Sequence, residues 1–274
     1  MLRAANLGLC VLLLSVLSGP LPAAPGDTLS SIATPFDCPQ GLTWDGKYLW
    51  NVDRKSDQIY QVNPASGAIR DSLPAPGYVP CGLTWDGQRL WCVDAEENEI
   101  YAISPKTKIV ERTIYCPASR PAGLAWDGQY LWLADDGADE LLQISPDDGT
   151  TITSIPSPSG APQGLAFDGK YLWVADRMAD MIYMVTPQRG EVIVCFAAPG
   201  PYAWGLAWDG QHLWNADYQN DRIYKLVYDD DTPFVRLEEK TQQLEFIHQV
   251  RNYGPGILNT LDIYISVPQD MNNQ

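Results

Sequence analysis

The sequence predicts an all-β fold, a five-bladed β-propeller, and three observations carry that reading. One stretch, Gly123 to Asp135 (GLAWDGQYLWLAD), has near copies that begin at Gly41, Gly82, Gly164 and Gly205, each start 41 residues from the next. A period near 40 that opens with two strand-like runs is the period of propeller blades and not of helical solenoid turns. Each repeat also contains four runs that read as strands, so five repeats give five four-stranded sheets. At 274 residues, 45% hydrophobic and with ten Trp, the chain can bury a large core.

In chain order, residues 1–26 read as a secretory leader. Arg3 supplies the positive end, Leu7 to Leu17 form an apolar run too short to span a bilayer comfortably, and small residues follow. Cleavage after Gly26 places Ala24 at the −3 position; cleavage after Ala23 is the alternative. The expected location is therefore secreted or periplasmic, without stable membrane insertion once the leader is removed. Of the six cysteines the leader holds Cys10, which leaves Cys38, Cys81, Cys92, Cys116 and Cys195. Five is odd, so at least one thiol stays free or pairs outside the chain.

Residues 28–36 lack the motif but match the segment that ends each later repeat, such as Ala68 to Pro74. The fifth repeat runs out of consensus after Val227, so the N-terminal segment is expected to supply its outer strand and close the ring, removing exposed sheet edges. The propeller thus spans 27–228. Within a repeat, the Asp-Gly pair is expected to form a two-residue type I′ turn. That register would set Gly82 opposite Trp91, leaving room for an indole, and Cys81 opposite Cys92. Cys81 and Cys92 are then a candidate disulfide, Cys38 with Cys81 the competing pair, and buried free thiols the third option.

Residues 229–235 read as a polar linker. Residues 236–274 read as a β-hairpin, two long strands about Asn252 to Gly256, expected either to dock on the propeller or to be the truncated start of a second β domain. A lone two-stranded ribbon is marginal in water.

Nine of the ten Trp occupy two consensus positions, with Phe167 replacing one. A buried aromatic hides about 150 to 250 Å², worth up to roughly 4 to 6 kcal/mol at about 25 cal/mol per Å². Use in every blade points to packing between blades. Trp204 stands outside the consensus and is the better ligand candidate. Asp53, Asp94, Asp135, Asp176 and Asp217 end the second strand of the five blades, and a ring of carboxylates invites a metal. Neighbours about 8 Å apart would repel by roughly 2 kcal/mol at a dielectric near 20, unless each accepts backbone N–H bonds in its own loop. Structural use is the expectation, with an axial cation as the alternative. No metal site or cofactor is assigned.

The blades resemble the secreted NHL-like and lactonase-like propeller repeats, in which a Gly-apolar-x-aromatic strand, an Asp-Gly turn and a strand ending in Asp recur. That resemblance implies the propeller fold over about three quarters of the chain. Such repeats serve lyases, lactonases, cyclotransferases and many binding proteins alike. Glutaminyl cyclotransferase propellers are also five-bladed, but their stretch of catalytic and substrate-binding residues is not found here. The tail resembles the β region that precedes the catalytic core of bacterial transglutaminase-like proteins, carried by Phe246 to Arg251, Asn252 to Gly256 and Leu258 to Pro268. By that resemblance the propeller belongs to a transglutaminase-like protein whose catalytic residues would lie beyond Gln274.

A formal charge of −16 excludes an electrostatic hold on nucleic acid. The two histidines, His212 and His248, have no Cys, Ser or carboxylate at a catalytic spacing. Catalytic residues are accordingly not assigned. Function is sought where the repeats disagree, in the loops before the first strand and after the second. There Arg54, Arg177, Tyr202, Trp204 and Tyr218 are expected to form a mixed aromatic and cationic ligand pocket. The expected function is a binding or scaffolding module for a protein, peptide or polysaccharide. The alternative is a propeller enzyme of lyase, lactonase or cyclotransferase type, with its site at the channel mouth.

Overall fold

The computed structural model describes residues 24–228. The leader up to residue 23 and the expected linker and hairpin of residues 229–274 lie outside the described residues. A single strand, β1 (Thr28–Ala33), comes first. Blade one holds β2 (Pro39–Trp44), β3 (Leu49–Asp53), β4 (Gln58–Val62) and β5 (Ile69–Pro74), and blade two β6 (Pro80–Trp85), β7 (Leu90–Asp94), β8 (Glu99–Ser104) and β9 (Ile109–Tyr115). Blade three holds β10 (Pro121–Trp126), β11 (Leu131–Asp135), β12 (Glu140–Ile144) and β13 (Thr151–Pro156). Blade four holds β14 (Pro162–Phe167), β15 (Leu172–Asp176), β16 (Met181–Val185) and β17 (Val192–Ala197). Blade five has β18 (Ala203–Trp208), β19 (Leu213–Asp217) and β20 (Arg222–Leu226).

Every sheet is an antiparallel meander, and the fifth takes β1 as its outer strand in the order β1-β20-β19-β18. Ile32 pairs with Ile223 and Ala33 with Arg222, while the Arg222 guanidinium donates to the Ser31 hydroxyl at 2.6 Å. The ring is thus closed by the N-terminal segment. Closure is by hydrogen bonds, which removes two sheet edges at once.

Burial falls from the second strand outward. All five residues of β3, β7, β11, β15 and β19 are buried, whereas the outer strands are mostly exposed. The core lies between blades. Trp50 packs against Leu83 and Leu90 of the next blade, Trp91 against Leu124 and Leu131, Trp132 against Leu165 and Leu172, Trp173 against Leu206 and Leu213, and Trp214 against Leu42 and Leu49.

The Trp-Asp-Gly motif explains itself once the hairpin loop is seen. Asp127 Oδ1 accepts the N–H groups of Gln129 and Tyr130 at 2.9 and 2.7 Å, and its Oδ2 accepts the Trp132 indole N–H at 3.0 Å. The same bonds recur from Asp45, Asp86, Asp168 and Asp209. One carboxylate therefore both caps its loop and satisfies the only polar atom of a buried indole.

This corrects the expected register. Only the glycine of the pair takes a positive φ (Gly87, 98°), and the loop is centred one residue later than a type I′ Asp-Gly turn would be. Leu83 faces Cys92, Thr84 faces Trp91, and a bulge falls between Pro80 and Gly82. The glycine is consequently not opposite an indole. A Cβ on Gly123 would lie 2.0 Å from the Gln163 carbonyl oxygen, and one on Gly205 would lie 2.3 Å from that of Gln40. The consensus glycine lets adjacent inner strands approach around the axis.

Candidate functional site

The five strand-ending aspartates build the face on which the channel opens. Asp53 Oδ2 accepts the Cys38 N–H and Oδ1 the Ser56 N–H, both at 2.8 Å. Asp176 holds the N–H groups of Ala161, Met178 and Ala179. Asp94 does the same with Val79, Glu96 and Glu97. In blades one to four each carboxylate thus ties the loop before the first strand to the loop after the second. Burial pushes the Asp135 carboxyl up, but the N–H and hydroxyl of Ser119 and the N–H groups of Arg120 and Gly137 outweigh it, so its pKa lies below the usual value. No group of three or more His, Cys, Asp or Glu is placed to hold a metal ion among the described residues.

On this frame the residue after each aspartate donates its N–H to the residue three before the consensus glycine. The pairs are Arg54 with Cys38, Ala95 with Val79, Asp136 with Arg120, Arg177 with Ala161 and Tyr218 with Tyr202. The backbone repeats while the side chains do not. That is where a site with one orientation can arise on a five-fold scaffold.

The non-repeated side chains form one run around the mouth. Asp136 takes Arg120 at 3.1 Å and Arg177 at 3.5 Å on the same oxygen. Burial pushes the Asp136 carboxyl above its usual pKa, and the two arginines pull it back only in part. The Arg177 guanidinium carbon sits 5.9 Å from the centre of the Trp204 ring, and Trp204 meets Tyr218 with ring centroids 5.3 Å apart. The Tyr218 phenol in turn lies near the Cys38 side chain, and the Gln40 amide nitrogen lies 3.9 Å from the Cys38 sulfur. The neighbouring Cys38 side chain raises the Tyr218 pKa above its usual value.

Of the residues expected to form the pocket, Arg177, Trp204 and Tyr218 are in contact. Tyr202 joins them through its carbonyl, and the exposed Arg54 lies close enough for its charge to act on Tyr218. Trp204 belongs to β18 and not to a loop. The Arg120–Asp136–Arg177 bridge was not foreseen as part of the pocket. Its signal is that Asp136 stands where the other blades have Arg, Ala or Tyr.

Blade five breaks the carboxylate pattern. Tyr202 takes a left-handed φ of 60° and gives its N–H to Asp180 at 2.9 Å, not to Asp217. Asp217 Oδ2 is left buried without a partner, and desolvation raises the Asp217 carboxyl above its usual pKa.

The candidate disulfide is corrected by the register. Cys81 packs on the blade-three side of its sheet and Cys92 on the blade-one side, because the bulge shifts the strand between them. All five described cysteines, Cys38 included, are free thiols. Burial pushes Cys81 and Cys92 well up and Cys116 up to about 12.

No protein-family model and no curated protein sequence matches the chain. Solved structures do match. A glutaminyl cyclase from Myxococcus xanthus aligns with a TM-score of 0.65 at 16% identity, over 73% of this chain and 95% of that one. A virginiamycin B lyase from Staphylococcus aureus aligns at 21% identity with a TM-score of 0.46, over 72% of this chain and 69% of that one. At 16% identity the likeness to the glutaminyl cyclase is one of fold alone.

Proposed function

We infer that the propeller is an exported peptide-binding module whose site is the channel mouth. The observation that carries this reading is the unbroken run from Arg120 through Asp136, Arg177, Trp204 and Tyr218 to Cys38, drawn from four blades. Aromatic faces beside paired donors and acceptors suit a peptide that presents apolar and polar side chains together. The leader-like residues 1–26 support an extracytoplasmic location, and the tail resemblance supports attachment to a transglutaminase-like protein.

The test is a peptide array probed with the intact chain and with Trp204→Ala and Arg177→Ala. A defined peptide set retained by the wild type and lost by both variants is expected. Equal retention by all three proteins would overturn the reading. A second reading, an enzyme at the same mouth, is favoured by the half-buried Cys38 thiol with its Tyr218 and Gln40 neighbours. Mass spectrometry of the bound peptides separates the two: intact peptides mean binding, and peptides changed only when Cys38 is present mean catalysis.

A further inference from the structure

On the face opposite the mouth, beside the Asp-Gly loops, grooves lie between blades three and four and between blades five and one. The groove between blades three and four measures about 570 Å³, while its equivalent between blades five and one measures about 330 Å³. The two are built from corresponding positions. Phe167 stands where the other groove has Trp44, Gln143 where it has Lys225, and Gln188 where it has Ala65. Phe167 is the one departure from Trp at its consensus position, and a phenyl ring there leaves open the space that an indole takes.

The chemistry of the groove departs from the repeat as well. At the positions equivalent to Thr153, Gln188, Gln129 and Gln143 other blades carry charge: Asp71 pairs with Lys108 at 2.6 Å, Arg112 with Asp147 at 2.8 Å, Lys170 lies 4.6 Å from the Tyr171 ring centre, and Lys225 is 3.9 Å from Asp209. Between blades three and four no cation lines the wall. The one carboxylate, Asp127, is already used by four donors: two backbone N–H groups, the Trp132 indole and the Gln143 amide at 2.7 Å. The rest of the polar lining is uncharged: the Gln129 amide, which donates to the Tyr130 hydroxyl at 3.0 Å, the amides of Gln143 and Gln188 and the Thr153 hydroxyl, with the Phe167 ring at the side.

We propose that this groove binds a neutral saccharide. A sugar ring has an apolar C–H face that packs on an aromatic ring and a rim of hydroxyls that both donate and accept. Amides and hydroxyls match that rim without the cost of desolvating an ion. The volume falls within the range of about 300 to 1,000 Å³ usual for ligand sites. Exposure of the groove fits a short oligosaccharide or a chain lying across it.

The test uses the full chain with three neutral probes, cello-, malto- and chito-oligosaccharides, and polygalacturonate as an anionic control, read by saturation-transfer NMR and calorimetry. Two variants copy residues that other blades already carry, so the fold tolerates them: Phe167→Trp closes the groove, and Gln143→Lys puts a cation beside Asp127. At least one neutral series is expected to bind the wild type, and each variant should weaken it about tenfold or more, equivalent to about 1.4 kcal/mol. Circular dichroism and the unfolding temperature confirm that the variants are folded. Absence of binding by all three neutral series, undiminished binding by both folded variants, or tighter binding of the polygalacturonate control would each overturn the proposal.

Discussion

Replacing Asp135 and Asp217 by asparagine, one at a time, should give opposite results although the two residues occupy the same position in different blades. Asp135 Oδ2 accepts the Ser119 N–H at 2.7 Å, and Oδ1 accepts the Ser119 hydroxyl at 2.8 Å with the N–H groups of Gly137 and Arg120 at 2.9 and 3.0 Å. An amide placed there in either orientation sets an NH₂ against at least one of those donors. A hydrogen bond to a charged group is worth about 1.5 to 3 kcal/mol, and the remaining bonds weaken when the charge goes. Asp135→Asn should therefore cost about 3 kcal/mol, or roughly 6 to 12 °C in unfolding temperature for a domain near this size. In Asp217 only Oδ1 has a partner in the folded loop, the Asn220 N–H at 2.6 Å, while Oδ2 is buried and unpaired. Asp217→Asn can keep the first bond and removes a buried charge, so at neutral pH it should be neutral or stabilising by up to about 1 kcal/mol.

The pH dependence follows with opposite signs. The lowered Asp135 pKa contributes stability that is present above the unfolded value of about 3.9 and lost as pH falls through the folded value. The raised Asp217 pKa contributes stability that is complete below about 3.9 and lost as pH rises through the folded value. Any advantage of Asp217→Asn over wild type should accordingly shrink on acidification toward pH 4. Urea unfolding followed by Trp fluorescence at several pH values measures both. Equal destabilisation by the two substitutions would refute the inequivalence of the blades.

Further outcomes can be checked with the same methods. Gly205→Ala drives a Cβ to 2.3 Å from the Gln40 carbonyl at the ring closure and should cost about 2 kcal/mol. Gly160→Ala, whose nearest neighbour is 4.0 Å away, should be close to neutral in the same unfolding assay. In the native protein a thiol reagent should label the exposed Cys195 quickly and the half-buried Cys38 more slowly. Cys81, Cys92 and Cys116 should react only on unfolding, and native labelling of either member of the Cys81–Cys92 pair would contradict their burial.

Blade number, strand order within a blade and closure by residues 28–33 were all legible in the sequence, because each is set by patterns that repeat. The 41-residue period fixes the unit, and alternation with turn residues fixes its strands. The loop-face residues Arg177, Trp204 and Tyr218 were legible for the opposite reason, as departures from the repeat. Register was not. A two-residue Asp-Gly turn and a loop capped by the aspartate side chain share the same letters, and only the bonds to Asp127 and its equivalents distinguish them.

The sequence by itself determined the propeller and the positions at which its blades cease to be equivalent, since both are properties of a local repeat. Tertiary structure alone decided which departures meet. Arg120, Asp136 and Arg177 converge, Cys81 and Cys92 lie on opposite sides of one sheet, and Phe167 opens a groove against Gln143. The physical reason is that these contacts join neighbouring blades or turn on a single bulge, and neither the interblade distance nor a one-residue shift leaves a mark on residue spacing.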